Sequence, residues 1–220
     1  MINLFRKRVH APIVEQRKEL DHYPPEIRDL ALNGPDCDAL PNATGDFGRS
    51  SENPIPVNGV TGTLRYFWKL RLPSGPASYF HRICSAHSKL TSQPIDVYET
   101  VSVDATHWDV LFFDIYHPRR SNVAPRGFYL FPYDKRVGDI PSPAGVTFQL
   151  ESFPHDLPNA LPKDDWLEAY ARRCERDIAR YTFRRPNEHL ARLRDLRVDP
   201  INIVTVSDGL TLFRQPPTKR

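Results

Sequence analysis

The middle of the chain alternates between apolar and polar residues with a period of two, which is the pattern of a half-buried β-strand. The clearest instance is the segment at 62–72, whose apolar face comprises Leu64, Tyr66, Trp68, Leu70 and Leu72. Strands are also predicted at Tyr79–Ser85, Asp96–Val103 and Trp108–His117, and Gly127–Phe131 and Val146–Leu150 are further strand candidates. Because turn residues separate these segments, we expect hairpins that form an antiparallel meander.

The apolar spacing changes to three and four residues near the carboxyl end, which predicts amphipathic helices. The first runs from Pro162 to Phe183, and its apolar stripe comprises Trp166, Tyr170, Cys174, Ile178 and Tyr181. A second helix is expected after Pro186, followed by a β-hairpin at Asp208–Gly209. Short helices are expected at 13–22 and 26–32. The predicted fold is therefore α+β: an antiparallel sheet with helices at the amino terminus and after residue 162, closed by the hairpin.

A proline- and glycine-rich stretch at 35–61 separates the amino-terminal helices from the first predicted strand. Its prolines and glycines recur too often for a continuous helix or a central strand. We expect an ordered loop that packs on the sheet through Leu40, Phe47, Ile55 and Val57. The 220 residues suit a single domain. Its parts are a helical segment at 1–34, this loop, a sheet core at 62–153, and two helices with a hairpin at 162–220.

The composition narrows the classes of function. Hydrophobic residues at 40% and charged residues at 26% are typical of a globular protein. A net charge of +3 does not by itself indicate nucleic-acid binding, and no stretch is apolar enough to span a membrane. No signature indicates a cofactor or a metal site.

The three cysteines, Cys37, Cys84 and Cys174, show no paired spacing. They indicate free thiols in a reducing compartment, so we expect a cytoplasmic protein. Cys37 lies between Asp36 and Asp38, and this acidic setting disfavours the thiolate. The sequence therefore makes Cys37 a poor candidate for a nucleophile.

Two carboxylates interrupt the apolar faces of the central strands. Glu99 lies among valines, and Asp114 shares a face with aromatic residues. A buried carboxylate requires a cation or several hydrogen-bond donors. The nearest cations along the sequence are His81, Arg82, His117, Arg119 and Arg120. A meander of these strands would bring them within reach.

Three interpretations of this polar cluster are open. In the first, Glu99 and Asp114 form ion pairs or accept backbone hydrogen bonds, and they stabilise the fold. In the second, Glu99, His81 and His117 perform acid–base catalysis, as in metal-independent ribonucleases. The binding residues would then be Arg82, Asp114, Arg119 and Arg120. The third is a divalent-metal site of His81, Glu99, Asp114 and His117, which no ligand-spacing motif supports.

The segment YHPRRS at 116–121 presents a histidine and two arginines at a strand end. Pro118 holds His117 extended and ends the strand. Arg119 and Arg120 then suit bidentate recognition of phosphate or carboxylate, unless they form an ordinary solvated turn. In the arginine-rich helices after residue 162 we expect much of the charge to pair along the helix, with a nucleic-acid surface as the alternative.

Five motifs of the same region resemble those of an uncharacterised group of bacterial proteins. They are FGRSSENPIPVNG, YFHRICS, DVYETVSVD, WDVLFFDIYHPRRS and APRGF. The resemblance covers about a third of the chain. It implies a bacterial source and a shared fold, and it implies no reaction and no catalytic residues.

Two functions are consistent with these observations. The first is a binding or interaction module without catalytic activity, which recognises a partner protein or an anionic ligand. It follows from the missing catalytic signatures and from the long loop. The alternative is a small metal-independent phosphodiesterase or ribonuclease, which requires His81 within hydrogen-bonding reach of Glu99 in an open cleft.

Overall fold

The computed structural model describes residues 37–131, 145–161 and 165–196, together with residues 21, 25 and 28. Contacts divide the chain into two compact units, Met1–Arg185 and Pro186–Arg220. The described strands are β1 (Ile55–Pro56), β2 (Leu70–Arg71), β3 (Ser78–Ala86), β4 (Ile95–Ser102), β5 (Trp108–Asp114), β6 (Tyr129–Leu130) and β7 (Gly145–Val146). The described helices are α1 (Gly59–Lys69), α2 (Leu157–Ala160), α3 (Asp165–Arg180) and, in the second unit, α4 (Asn187–Asp195).

Five strands form one sheet in the order β1–β5–β4–β3–β7, and β2 pairs with β6 separately. The three central strands are antiparallel neighbours in chain order. Both edge pairings are parallel, β1 with β5 and β7 with β3. The mixture of helices with a mostly antiparallel sheet is confirmed, whereas the purely antiparallel meander is wrong. Each edge strand has only two residues, too few for any alternation to reveal its place in the sheet.

The central strands are buried on both faces, and all eight residues of β4 are buried. On one face, Phe67 of α1 stacks on Phe80 of β3 with ring centroids 4.0 Å apart. On the other face, Phe153 and residues of α3 join a cluster with Tyr79 and Val101. Polar side chains in these strands must therefore find partners inside the protein.

The segment with the clearest alternation is a helix rather than a strand. Helix α1 occupies most of it, and only Leu70–Arg71 continue as a strand. The buried residues of α1 follow helical spacing and are Gly62, Thr63, Tyr66 and Phe67. Trp68, predicted on the buried face, is 42% exposed. The predicted strand face and the buried face of α1 share only Tyr66, and Phe67, which is not on the predicted apolar face, stacks on Phe80.

The other predicted elements are found with altered lengths. Strands β3 and β4 lie within about one residue of the predicted bounds, and β5 ends three residues early. The strands predicted at 127–131 and 146–150 are reduced to the two-residue strands β6 and β7. The helices predicted from Pro162 and after Pro186 correspond to α3 and α4. The helices predicted before residue 37 and the hairpin at Asp208–Gly209 lie outside the described residues, apart from residues 21, 25 and 28.

The described part of the proline-rich loop packs on the sheet. Leu40, Ile55 and Val57 are buried, and Phe47 contacts the cluster around Phe67. This packing brings residues 37 and 38 to the end of β5, where the candidate site lies. The four-part division of the chain stays a prediction. None of the described helices has the length and hydrophobicity needed to cross a membrane.

Candidate functional site

The end of β5 places a carboxylate beside a histidine. Asp114 is the last residue of the strand, and the chain then turns so that His117 Nε2 lies 2.8 Å from Asp114 Oδ2. The backbone N–H of Tyr116 donates to Asp114 Oδ1 at 3.1 Å. The backbone N–H of His117 donates to the carbonyl of Val57 at 3.3 Å. Because His117 is 1% and Asp114 4% exposed, the surrounding protein fixes the orientation of the imidazole.

The other ring nitrogen of His117 faces a thiol: Cys37 Sγ lies 4.0 Å from His117 Nδ1. The contact between His117 Nε2 and the Asp114 carboxylate is best satisfied when the neutral imidazole carries its proton on Nε2. Nδ1 then presents its lone pair to the thiol. Cys37 is partly exposed, whereas both partners are buried. The three side chains thus form a hydrogen-bonding series in which the thiol is the most accessible member.

The residues that follow His117 hold the chain segment that carries Cys37. Arg119 Nη1 donates to Asp38 Oδ1 at 2.6 Å, and the backbone N–H of Asn122 donates to the same oxygen at 2.7 Å. The hydroxyl of Ser121 donates to the carbonyl of Asp38 at 2.6 Å. Burial acts to raise the pKa of Asp38, but the hydrogen bonds from Arg119 and Asn122 outweigh it, so the pKa is lowered. Asp38 therefore carries a negative charge that Arg119 compensates.

Arg119 and Arg120, for which the sequence suggested bidentate recognition of phosphate or carboxylate, are both buried. Their exposed fractions are 6% for Arg119 and 3% for Arg120. Arg119 pairs with Asp38, and the side chain of Arg120 passes over the first turn of α1, near Gly62. This geometry supports a role for both arginines inside the protein.

The second polar group lies in the middle of the sheet. His81 on β3 is directly opposite Glu99 on β4, with Nε2 2.8 Å from Oε2. Arg185 donates two hydrogen bonds to the same carboxylate, from Nε to Oε1 at 2.6 Å and from Nη2 to Oε2 at 2.9 Å. Its guanidinium also lies over the Trp108 ring, 5.4 Å from the centroid. Glu99 is thus a buried carboxylate with a bidentate arginine and a histidine as partners.

Both ring nitrogens of His81 are occupied. The backbone N–H of Leu150 donates to Nδ1 at 3.0 Å, which leaves the proton on Nε2, facing Glu99. Phe153 stacks on the imidazole, with centroids 4.2 Å apart. Burial lowers the pKa of His81, although the hydrogen bond to Glu99 acts in the opposite direction. At 2% exposure for His81 and 1% for Glu99 the pair does not face an open cleft, and this geometry supports a structural role.

Arg82 lies away from this pair. It is the residue after His81 on β3, so it faces the opposite side of the sheet, where it pairs with Asp96 at 2.8 Å. Burial raises the pKa of Asp96, although the guanidinium of Arg82 acts to lower it.

The predicted single cluster is therefore two separate pairs. Glu99 lies opposite Val110 on β5, and Asp114 follows four residues later, roughly 13 Å along the strand. Within the described ranges, no group of three or more His, Cys, Asp or Glu side chains is arranged to hold a metal ion. The structure thus gives no support to a metal site built from both pairs.

Two residues from distant segments complete the two pairs: Arg185, which no sequence pattern singled out, and Cys37, which the sequence made a poor candidate for a nucleophile. Arg185 is 86 residues from Glu99, and Cys37 is 80 residues from His117. The acidic setting predicted for Cys37 includes Asp38, whose charge Arg119 compensates in the structure, and the expectation that Cys37 is a poor nucleophile stays a prediction. Comparisons with protein-family models, with curated proteins and with solved structures found no match.

Proposed function

We propose that the protein is a thiol-dependent enzyme that transfers an acyl group, with Cys37 as the nucleophile and His117 as the general base. Asp114 would position His117. The observation that carries this proposal is the 4.0 Å contact between Cys37 Sγ and His117 Nδ1, on the ring edge opposite the Asp114 contact. A nucleophile, a base and an orienting group in this order activate thiols and hydroxyls on unrelated folds. A long contact between nucleophile and base is common without bound substrate.

The proposed reaction begins when the Cys37 thiol transfers its proton to His117 Nδ1. The carboxylate of Asp114 stabilises the resulting imidazolium. The thiolate attacks the carbonyl carbon of an ester, thioester or amide, and a C–S bond forms as the carbonyl oxygen becomes an oxyanion. When the carbonyl re-forms, the leaving group departs with the proton from His117. Water then gives a proton to His117, attacks the acyl-enzyme and releases the acid and the thiol.

The other two cysteines lack these features. Cys84 and Cys174 are 7% and 1% exposed. Burial raises the pKa of the Cys84 thiol and raises the pKa of Cys174 to about 12. An electrophile added to the native protein should therefore modify Cys37 selectively.

The first experiment measures the rate at which iodoacetamide alkylates Cys37 in the full-length protein, followed by peptide mass mapping. An unactivated thiol loses roughly 80-fold in thiolate between pH 8 and pH 6. We expect a loss of less than about tenfold for the wild type, because His117 pairs with the thiolate. His117→Asn should restore the steep dependence. The matched control is His107→Asn, which removes a more exposed histidine 3.7 Å from Asp109.

The second experiment tests acyl transfer itself with p-nitrophenyl acetate as the probe. We expect an acetyl adduct on Cys37 in the wild type and none in His117→Asn. A steep pH dependence in the wild type, or no adduct on Cys37, would overturn the proposal. The binding role and the phosphodiesterase alternative stay predictions, and the occupied nitrogens of His81 weigh against its acting as an acid or base.

A further inference from the structure

We propose that Asp38, Arg119 and Ser121 form a clamp that positions Cys37 against His117. The inference rests on the proposed function, because it assigns positioning residues to the same thiol. The clamp is defined by the ion pair between Asp38 and Arg119 and by the hydrogen bond from Ser121 to the carbonyl of Asp38. These residues do not touch the reacting atoms, and they would act through the backbone of Cys37.

The clamp residues lie next to Cys37 and His117 along the chain, so the clamp can act on the positions of both. Asp38 directly follows Cys37, and Arg119 is two residues after His117, with Pro118 restricting the backbone between them. Each half of the catalytic pair is thus adjacent to one half of the clamp. Fixing Asp38 on Arg119 therefore fixes the separation of the thiol and the imidazole.

The arginine side of the clamp is anchored in the sheet. The backbone N–H of Ser121 donates to the carbonyl of Pro56 in β1 at 2.8 Å. The side chain of Arg119 is 7% exposed and also donates to the carbonyl of Arg120, whereas the side chain of Asp38 is 42% exposed. The buried arginine is therefore the fixed partner, and the segment with Cys37 is held by it.

The clamp also sets the charge around the thiol. Among the residues that the structure describes, the ionisable groups in contact with this segment include His117, with Asp114 behind it, and the pair of Asp38 and Arg119. Tyr66 lies close enough to Asp38 for the carboxylate to raise the pKa of the phenol, after burial as the main cause. Without Arg119, Asp38 would oppose the formation of a thiolate one residue away. With Arg119 in place, the acidic neighbour is neutralised.

The test is the pH dependence of Cys37 alkylation by iodoacetamide in the full-length protein. Arg119→Met should lower the rate at pH 6 by about tenfold, the effect of one pH unit on an ordinary thiol. Arg119→Lys should recover part of the rate because it keeps the positive charge. The matched control is Arg126→Met, which removes an exposed arginine paired with Asp46 at 3.1 Å and should leave the rate unchanged.

A second variant keeps the test independent of folding defects. Ser121→Ala removes one hydroxyl and should lower the pH 6 rate in the same direction by a smaller factor, with unchanged near-ultraviolet circular dichroism. If the wild type shows the shallow pH dependence and both variants keep it, the clamp is overturned while the proposed function stands. If the wild type shows the steep dependence of an ordinary thiol, both proposals fail. A loss of thermal stability with an unchanged pH profile would assign Arg119 a structural role only, which also overturns the clamp.

Discussion

The buried ion pair between Glu99 and Arg185 supports a quantitative prediction for the variant Arg185→Met. This change removes both hydrogen bonds that the guanidinium donates to the carboxylate. Methionine retains much of the apolar part of the arginine side chain, so it should still pack against the Trp108 ring and leave no cavity there. The main effect is a buried negative charge that has lost its strongest partner.

The size of the effect follows from the exposure of the two partners. Removing one member of a fully buried pair costs about 3–5 kcal/mol in the free energy of unfolding. The Arg185 side chain is 25% exposed, so water already screens part of the interaction, and His81 still donates to Glu99. We therefore expect a loss of about 2–3 kcal/mol.

The assay is urea denaturation of the full-length protein, followed by tryptophan fluorescence and by far-ultraviolet circular dichroism. Arg172→Met is the matched control, because it breaks an exposed pair with Glu168 and should change stability by less than about 0.5 kcal/mol. The double variant Glu99→Gln with Arg185→Met should lose less than the sum of the two single variants, by at least about 1 kcal/mol. If Arg185→Met behaves like the control, Glu99 does not depend on this arginine, and the structural interpretation of the pair is refuted.

Two further predictions concern the same sheet. Burial lowers the pKa of His81 below its usual value of about 6.5, so the unfolded chain binds more protons than the folded protein below that pH. The free energy of unfolding should therefore fall as the pH drops from about 6.5. Urea midpoints measured from about pH 7 to pH 5 should show this fall, and His81→Gln should show a smaller one. Phe67→Ala should lower the free energy of unfolding by about 3–5 kcal/mol because Phe67 packs inside the core, whereas Trp68→Ala should lower it by less than about 1 kcal/mol. Thermal denaturation of both variants tests this order, and the reverse order would mean that this segment is a strand.

The sequence predicted the centre of the sheet because alternation, turn residues and strand length agree at β3, β4 and β5. It failed at α1 because the large apolar residues of this segment alternate, whereas the helix buries Gly62, Thr63, Tyr66 and Phe67, of which only Tyr66 lies on the alternating face. Phe67 stacks on Phe80 in this helix, and that contact belongs to the tertiary structure.

For the polar residues as well, the local sequence pattern does not predict contacts that form only in the tertiary structure. Alternation placed Glu99 and Asp114 on apolar faces, but the strand end that Pro118 predicted comes earlier, at Asp114. The partners that complete each group, Arg185 and Cys37, are supplied by segments more than 75 residues away along the chain. No periodicity links such distant segments, so only the folded backbone brings them together.

The loop that carries Cys37 also covers an open edge of the sheet. Strand β5 would otherwise expose a row of unpaired backbone groups, which in many proteins recruits a strand from another molecule. Here the carbonyl of Gly48 accepts the N–H of Phe112, and β1 covers the next two residues. Pro56 in β1 has no N–H to offer on its outer side. The stretch of chain from Cys37 to β1 therefore has a second consequence, because it occupies backbone groups of β5 at Phe112–Asp114 that another strand could otherwise pair with.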